Sequence, residues 1–128
     1  MNRFSIVTGS ITGFVAVALG AYAAHGLPPT MSPQAQEWID TGLRYQGFHA
    51  LALLAVGLLP RANLWSRVAA WAFLLGMLLF SGLLYVMAFT SISGLAAMVP
   101  IGGMLLMLGW ASLFGYAVTY ADRKERDE

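Results

Sequence analysis

The chain has 128 residues, of which 59% are apolar, and its charges are limited to seven Lys or Arg and six Asp or Glu. All of positions 122–128 are charged, so few charges remain for the rest of the sequence. A soluble domain carries about 25% charged residues, and disorder requires a low apolar content. The composition excludes both classes and predicts one domain in a lipid bilayer. The net charge of +1 offers no basic face to nucleic acid, and the absence of cysteine excludes disulfides and thiolate chemistry.

The first two predicted spans differ in how well their lengths match the thickness of a bilayer. Residues 4–24 are uncharged and give about 31 Å of helix, enough for a hydrocarbon core of roughly 30 Å. Residues 45–59 are too short unless the helix begins earlier. Ser32 and Pro33 form a typical helix start, a capping hydroxyl followed by proline. The amphipathic stretch after them is predicted as an interfacial helical segment that bends into the second span or continues as it.

Two further uncharged segments, residues 68–89 and 95–121, predict the third and fourth spans. The fold class is therefore an all-α integral membrane protein with four transmembrane helices. Residues 1–121 form its single domain, and residues 122–128 form a charged cytoplasmic tail. Residues 21–23, Ala-Tyr-Ala, resemble a signal-peptide cleavage site, but the preceding apolar stretch of about 20 residues exceeds the usual 7–15, so we expect it to be retained.

The positive residues predict the orientation. Those expected on one side of the membrane are Arg3, Arg61, Arg67, Arg123, Lys124 and Arg126. Arg44 alone is expected on the other side. Because cytoplasmic loops carry the excess of Lys and Arg, both termini are predicted to be cytoplasmic.

Small residues recur at helical spacing and predict close helix contacts. The pairs are Gly9 and Gly13, continued by Ala16 and Gly20, then Gly47, Ala50 and Gly57, then Gly102 and Gly109. Helices in lipid associate through such close packing. Packing within one chain is the favoured interpretation, with homo-oligomerisation as the alternative.

Polar residues near one predicted interface are the first candidates for a binding site: His25, Arg44, Tyr45, Gln46 and His49. Polar groups at membrane depth are costly and tend to be functional. In one interpretation each histidine hydrogen-bonds the bundle. In a second, the histidines join Arg44 and Tyr45 in a pocket for a lipid headgroup, a quinone or a partner subunit. In a third, they are two haem or metal ligands.

The remaining candidates lie in the last two spans. Ser81 and Tyr85 are four residues apart and share one helix face. Pro100, Gly102 and Gly103 stand near the start of the fourth span. A proline there lies in the first helical turn or kinks the helix, and the first turn is the commoner place.

No catalytic activity is predicted, because no nucleophile–base pair, carboxylate pair or phosphate loop is visible. No metal site or cofactor is predicted either, since a four-ligand zinc site needs more donors than two histidines and no cysteine supply. The short loops and packing faces favour a non-enzymatic accessory or assembly subunit of a larger membrane complex. The alternatives are a membrane protein that binds lipid, quinone or haem through His25 and His49, and an oligomeric channel or exporter. The expected partners are the bilayer, a membrane protein or a second copy.

Five stretches together resemble a known family: residues 20–27 (GAYAAHGL), 44–54 (RYQGFHALALL), 79–85 (LFSGLLY), 100–103 (PIGG) and 109–110 (GW). They are similar to the DUF423 family of small bacterial inner-membrane proteins, which is related to the eukaryotic transmembrane protein 256. The resemblance covers nearly the whole chain and implies a multi-spanning protein of the bacterial inner membrane without an established activity. It brings no catalytic residues to carry over.

Overall fold

A computed structural model describes all 128 residues, and every regular element in it is helical. The α-helices are α1 (Arg3–His25), α2 (Pro33–Gly57), α3 (Leu64–Met77), α4 (Leu83–Thr90) and α5 (Val99–Asp127). A π-helical turn, Leu78–Gly82, joins α3 to α4 without a break, and a 3-10 turn, Ser93–Ala97, precedes α5. The prediction of an all-α protein is confirmed.

Side chains define where the helices begin. Ser32 accepts a hydrogen bond from the amide of Ala35 at 3.1 Å, with Pro33 at the first helical position, as the sequence predicts. The amphipathic stretch that follows forms the first turns of α2 and runs on without interruption. Pro100 lies in the first turn of α5, where its missing N–H removes no helical hydrogen bond. The preference for a proline in the first turn is therefore confirmed.

Three helical segments are long and apolar enough to cross a membrane: Arg3–His25, Leu64–Thr90 and Ser93–Asp127. They contain the predicted spans 4–24, 68–89 and 95–121. The helix α2 is not among them, because Arg44, Gln46 and His49 lower its apolar character. The last helix continues through Asp127, so the charged tail is its final two turns, and the division at residue 121 stays a prediction.

The helices form two antiparallel pairs, α1 with α2 and α3 with α5, and α2 also packs against α3 and α4. The amide of Asn2 donates to the carbonyl of Gly57 at 2.8 Å, and Ala23 packs against the cluster of Ala35, Ile39 and Ala88 at the other end, so α2 runs along all of α1. Between the pairs lies the main core: Ala52, Leu53, Val56, Ala69, Ala70, Phe73, Met77 and Leu106.

Glycines allow this close packing inside the chain. A Cβ on Gly9 would lie 3.0 Å from the carbonyl oxygen of Ala50. A Cβ on Gly102 would lie 2.9 Å from the Cα of Phe80, so the two backbones touch there. The interpretation of these glycines as packing positions within one chain is confirmed. Gly20 and Gly47 are different, because a Cβ at either position would meet open space.

The positive residues collect at one end of the bundle. Arg3 and Arg67 border one surface hollow, and Arg61, Arg123 and Lys124 border a second. Ala62 lies at the edge of both hollows, which places them side by side. Asp127 and Glu128 border the second hollow as well, so this end of the bundle carries most of the positive residues together with acids of the charged tail.

Candidate functional site

The helix α2 carries four of the ten candidate residues and presents them on two different faces. Gly42, Gln46 and His49 are buried and face the other helices. Arg44 and Tyr45, between them in sequence, are exposed on the outer side. The inner residues follow the spacing of four and three that keeps side chains on one side of a helix. The cluster predicted near one interface is thus divided between the inside and the outside of the bundle.

Gln46 joins three helices. Its Nε2 donates to the carbonyl oxygen of Thr12 in α1 at 2.8 Å, and its Oε1 accepts from the hydroxyl of Tyr85 in α4 at 2.6 Å. Near this bond, the Ser81 hydroxyl donates to the carbonyl of Gly42 at 2.7 Å. The predicted shared face of Ser81 and Tyr85 therefore exists, and it points at α2.

Gly42 makes room for this arrangement. A Cβ at Gly42 would lie 2.6 Å from the ring of Tyr85, so any larger residue would push the tyrosine away from Gln46. With no side chain there, the Gly42 carbonyl is also accessible to Ser81. Gly42, Gln46 and His49 therefore form one hydrogen-bonded row on the inner face of α2.

His49 ties α2 to α5. The indole N–H of Trp110 donates to Nε2 at 3.0 Å, so Nε2 is an acceptor and the proton is on Nδ1. Nδ1 then donates to the carbonyl of Tyr45 at 2.7 Å. The ring also packs against Phe73, with centroids 5.5 Å apart. Both nitrogens are engaged within the chain, so neither is free to ligate a haem iron or a metal while these bonds last.

His25 lies elsewhere, exposed in the last turn of α1. Gly13 of α1 is the residue that packs against Ala50, next to His49. Twelve residues of helix separate Gly13 from His25, about 18 Å along the axis. The structure therefore does not bring the two histidines together, and a ligand site using both is not formed. No three His, Asp or Glu side chains converge as metal ligands either.

Arg44 is exposed near the middle of α2. It stands eleven residues after Pro33, about 17 Å along a helix of about 37 Å. The side-chain hydrogen bonds of this stretch are those of Gln46 and His49, and Arg44 makes none. An arginine at the centre of a bilayer costs about 2.5 to 3.5 kcal/mol on insertion scales. The positive charge of Arg44 is therefore unusual on the outer surface of the bundle.

Tyr45 shares the outer surface with Arg44 but is better packed. Its ring centroid lies 4.6 Å from that of Phe80, and the ring is stacked on the imidazole of His49 with centroids 6.1 Å apart. Arg44, Tyr45, Phe48 and Leu51 together border a shallow open groove. This groove lies on the outer face of α2, opposite the inner face that carries the hydrogen-bonded row.

The other candidates have structural places. Pro100 starts α5, and Gly102 contacts the backbone of the π-helical turn at Phe80. A Cβ at Gly103 would make an ordinary contact of 3.6 Å with the Phe80 ring. These residues fix where α5 crosses the π turn.

Sequence reasoning missed two contributors. Trp110 belongs to the family resemblance but not to the predicted site, although a buried indole N–H usually needs an acceptor. The π-helical turn, which carries Ser81, has no sequence signal. The indole N–H of Trp110 signals that this residue needs an acceptor, but it does not indicate which helix supplies it.

An all-helical chain with long apolar helices defines an integral membrane protein. The family profile described as "Protein of unknown function (DUF423)" matches residues 19–103. A "UPF0382 membrane protein" of Haemophilus influenzae is 49% identical, over 81% of this chain and 85% of that protein. The chain belongs to the DUF423 family, and the resemblance inferred from its motifs is confirmed.

Two further relatives extend the likeness across bacteria. The "UPF0382 inner membrane protein YgdD" of Escherichia coli K12 is 40% identical, over 91% of each chain. The "UPF0382 membrane protein YwdK" of Bacillus subtilis is 37% identical, over 90% of this chain and 96% of the relative. No solved structure matches the chain. The family description leaves the function open, so the geometry must supply it.

Proposed function

We propose that the protein crosses the membrane four times, with α2 as the second span and both termini in the cytoplasm. Support comes from the length of α2, about 37 Å, and from its pairing with α1 from end to end. Its buried polar side chains face other helices rather than lipid. The collection of positive residues at one end supports this orientation, since such residues favour the cytoplasmic side.

Reporter fusions test this topology. We expect a reporter that works only in the cytoplasm to be active after residue 62 and at the C-terminus, and inactive after residue 29. A reporter that works only outside the cytoplasm should show the reverse pattern. Activity on the same side at residues 29 and 62 would contradict four spans, because it would leave α2 outside the membrane.

We propose that this bundle is a non-enzymatic accessory or assembly subunit of a larger membrane complex in the inner membrane. The observation that supports this role best is the contrast on α2: Gln46 and His49 use their hydrogen-bonding groups inside the chain, whereas Arg44 faces outward without a partner. The inner row serves the fold and leaves little chemistry for catalysis. The outer surface is suited to contact with another membrane protein.

Native electrophoresis of the tagged protein, extracted from its own membranes in a mild detergent, tests this role. We expect the wild-type chain to migrate in an assembly that contains other proteins, and Arg44→Leu to reduce that assembly. The matched control is Ile11→Leu, at a similar depth on the exposed side of α1. A protein that always migrates free of other proteins would contradict the accessory role.

A further inference from the structure

The outer face of α2 has the spacing of a helix–helix seam. Seven exposed positions, the last of them just after the end of α2, are separated by 3, 4, 4, 3, 4 and 3 residues: Glu37, Asp40, Arg44, Phe48, Leu51, Ala55 and Leu58. We call these seven residues the α2 stripe. Tyr45 is exposed beside Arg44. Steps of three and four that average about 3.5 residues are the pattern with which two helices pack side by side along a seam.

The α2 stripe is chemically unlike the exposed surface of α1. The outward side chains of α1 include Val7, Ile11 and Val17, which lipid tails can cover. The α2 stripe instead places an acid, Asp40, and a base, Arg44, one helical turn apart. Because Arg44 lies near the middle of the helix, lipid headgroups are too distant to pair with it fully. A protein surface with matching charges suits this face better.

We propose that a second copy of this chain covers the α2 stripe, with the two α2 helices parallel about a two-fold axis along the membrane normal. Both copies insert in the same orientation, so equal depths meet. Asp40 and Arg44 differ by four residues, about 6 Å along the axis, which an extended arginine spans. Each Arg44 therefore pairs with Asp40 of the other copy, and the four charges cancel.

The C-terminal half of the α2 stripe supplies the apolar part of this interface. Phe48 and Leu51 are 59% and 66% exposed, and Ala55 continues the seam. Gly47 lies beside them, where a Cβ would meet open space. This glycine has no packing role inside the chain, unlike Gly9, and it lets a neighbouring helix approach closely.

Disulfide cross-linking in native membranes tests the dimer, and the chain has no cysteine to interfere. We expect oxidation of Leu51→Cys to give a product of twice the chain's mass. The matched control is Ile11→Cys, which is 58% exposed at a similar depth on α1 and should give little product. Equal yields at the two positions, or a product of another mass from Leu51→Cys, would overturn the proposal.

Charge reversal in the Leu51→Cys background tests the cross-pairing. Asp40→Arg and Arg44→Asp should each lower the dimer yield roughly fivefold to tenfold, as expected for the loss of interhelical polar contacts of ordinary membrane strength. The double variant Asp40→Arg/Arg44→Asp should restore it. Co-expression of the two single variants with different tags should favour the mixed dimer.

The mixed dimer is the decisive arm, because an ion pair within one helix, or an anionic lipid at Arg44, cannot be restored by mixing the two chains. If the mixture does not recover the yield, pairing between copies is overturned, even where the double variant recovers it. The amount of each variant in the membrane is measured as a control, because it distinguishes a loss of dimer from failed insertion.

The inference rests on the proposed function in treating the outer face of α2 as an interface, and it names a second copy as the occupant of that face, so that other proteins of the complex bind elsewhere on the dimer. A chain that cross-links to itself but migrates without other proteins would remove the accessory role and leave the dimer. A chain that migrates with other proteins but does not cross-link at residue 51 would remove the dimer and leave the accessory role. The two failures are therefore distinguishable.

Discussion

The two faces of α2 both carry polar side chains, yet the two sets have different surroundings. On the inner face, Gln46 and His49 are buried and hydrogen-bonded to α1, α4 and α5. On the outer face, Asp40 and Arg44 are exposed. A polar residue in such a helix therefore acts according to the face on which it lies. Inner polar groups hold the bundle together, and outer ones are available to a partner.

The largest effect is expected at the backbone contact that supports the inner face. Gly102→Val would drive its side chain into the backbone at Phe80, which cannot move aside, and should lower the free energy of unfolding by about 3 kcal/mol. Titration with a denaturing detergent in mixed micelles would measure it. The control is Gly20→Val, because a Cβ at Gly20 meets nothing. Similar losses in both variants would contradict the packing role of Gly102.

A smaller loss is expected from the histidine of the inner face. His49→Ala removes the bonds to Trp110 and Tyr45 and leaves a cavity beside Phe73, so the free energy of unfolding should fall by about 2 kcal/mol. The same detergent titration measures this loss, and His25→Ala is the control because His25 is exposed. A stability loss in His25→Ala as large as that in His49→Ala would mean that the buried and exposed histidines are not distinct.

The bond between Gln46 and Tyr85 should give a measurable coupling. We expect a double-mutant cycle with Gln46→Leu and Tyr85→Phe to return about 0.6 to 1.7 kcal/mol, which are the mean and the largest value found for hydrogen bonds between membrane helices. The cycle is measured by unfolding of the four proteins under one set of conditions. Additive single effects would show that this pair does not stabilise the bundle.

The smallest effect on the fold is expected at the outer face. Arg44→Leu in monomeric protein should change the free energy of unfolding by no more than about 0.5 kcal/mol, because the side chain is exposed and makes no bond within the chain. Its effect should fall on association instead. A marked loss of monomer stability would place Arg44 in the fold, contrary to the contrast between the two faces.

Much of the fold follows from the sequence. Uncharged runs locate three of the long helices, and the pair Ser32 and Pro33 locates the start of α2. Hydropathy alone does not reveal that α2 is central, because its apolar residues are interrupted by polar ones. Those polar residues are acceptable there because other helices surround them and supply hydrogen-bond partners.

The site was harder to predict, because contacts depend on depth and rotation. His25 and His49 follow one another on antiparallel helices, which suggests a shared end. However, His25 lies in the last turn of α1, whereas His49 lies 16 residues after Pro33, about 24 Å along α2. The partner of His49 instead comes from α5, 61 residues later in sequence. Such a long-range pair cannot be read from helical periodicity, which orders residues only within one helix.

A single experiment compares the roles of the two faces of α2. The free energies of unfolding of His49→Ala and Arg44→Leu are measured in the same detergent, with the chain diluted to the monomer. We expect His49→Ala to be less stable than Arg44→Leu by at least about 1.5 kcal/mol. Equal stabilities, or a less stable Arg44→Leu, would contradict the division between an inner face that holds the bundle and an outer face that meets a partner.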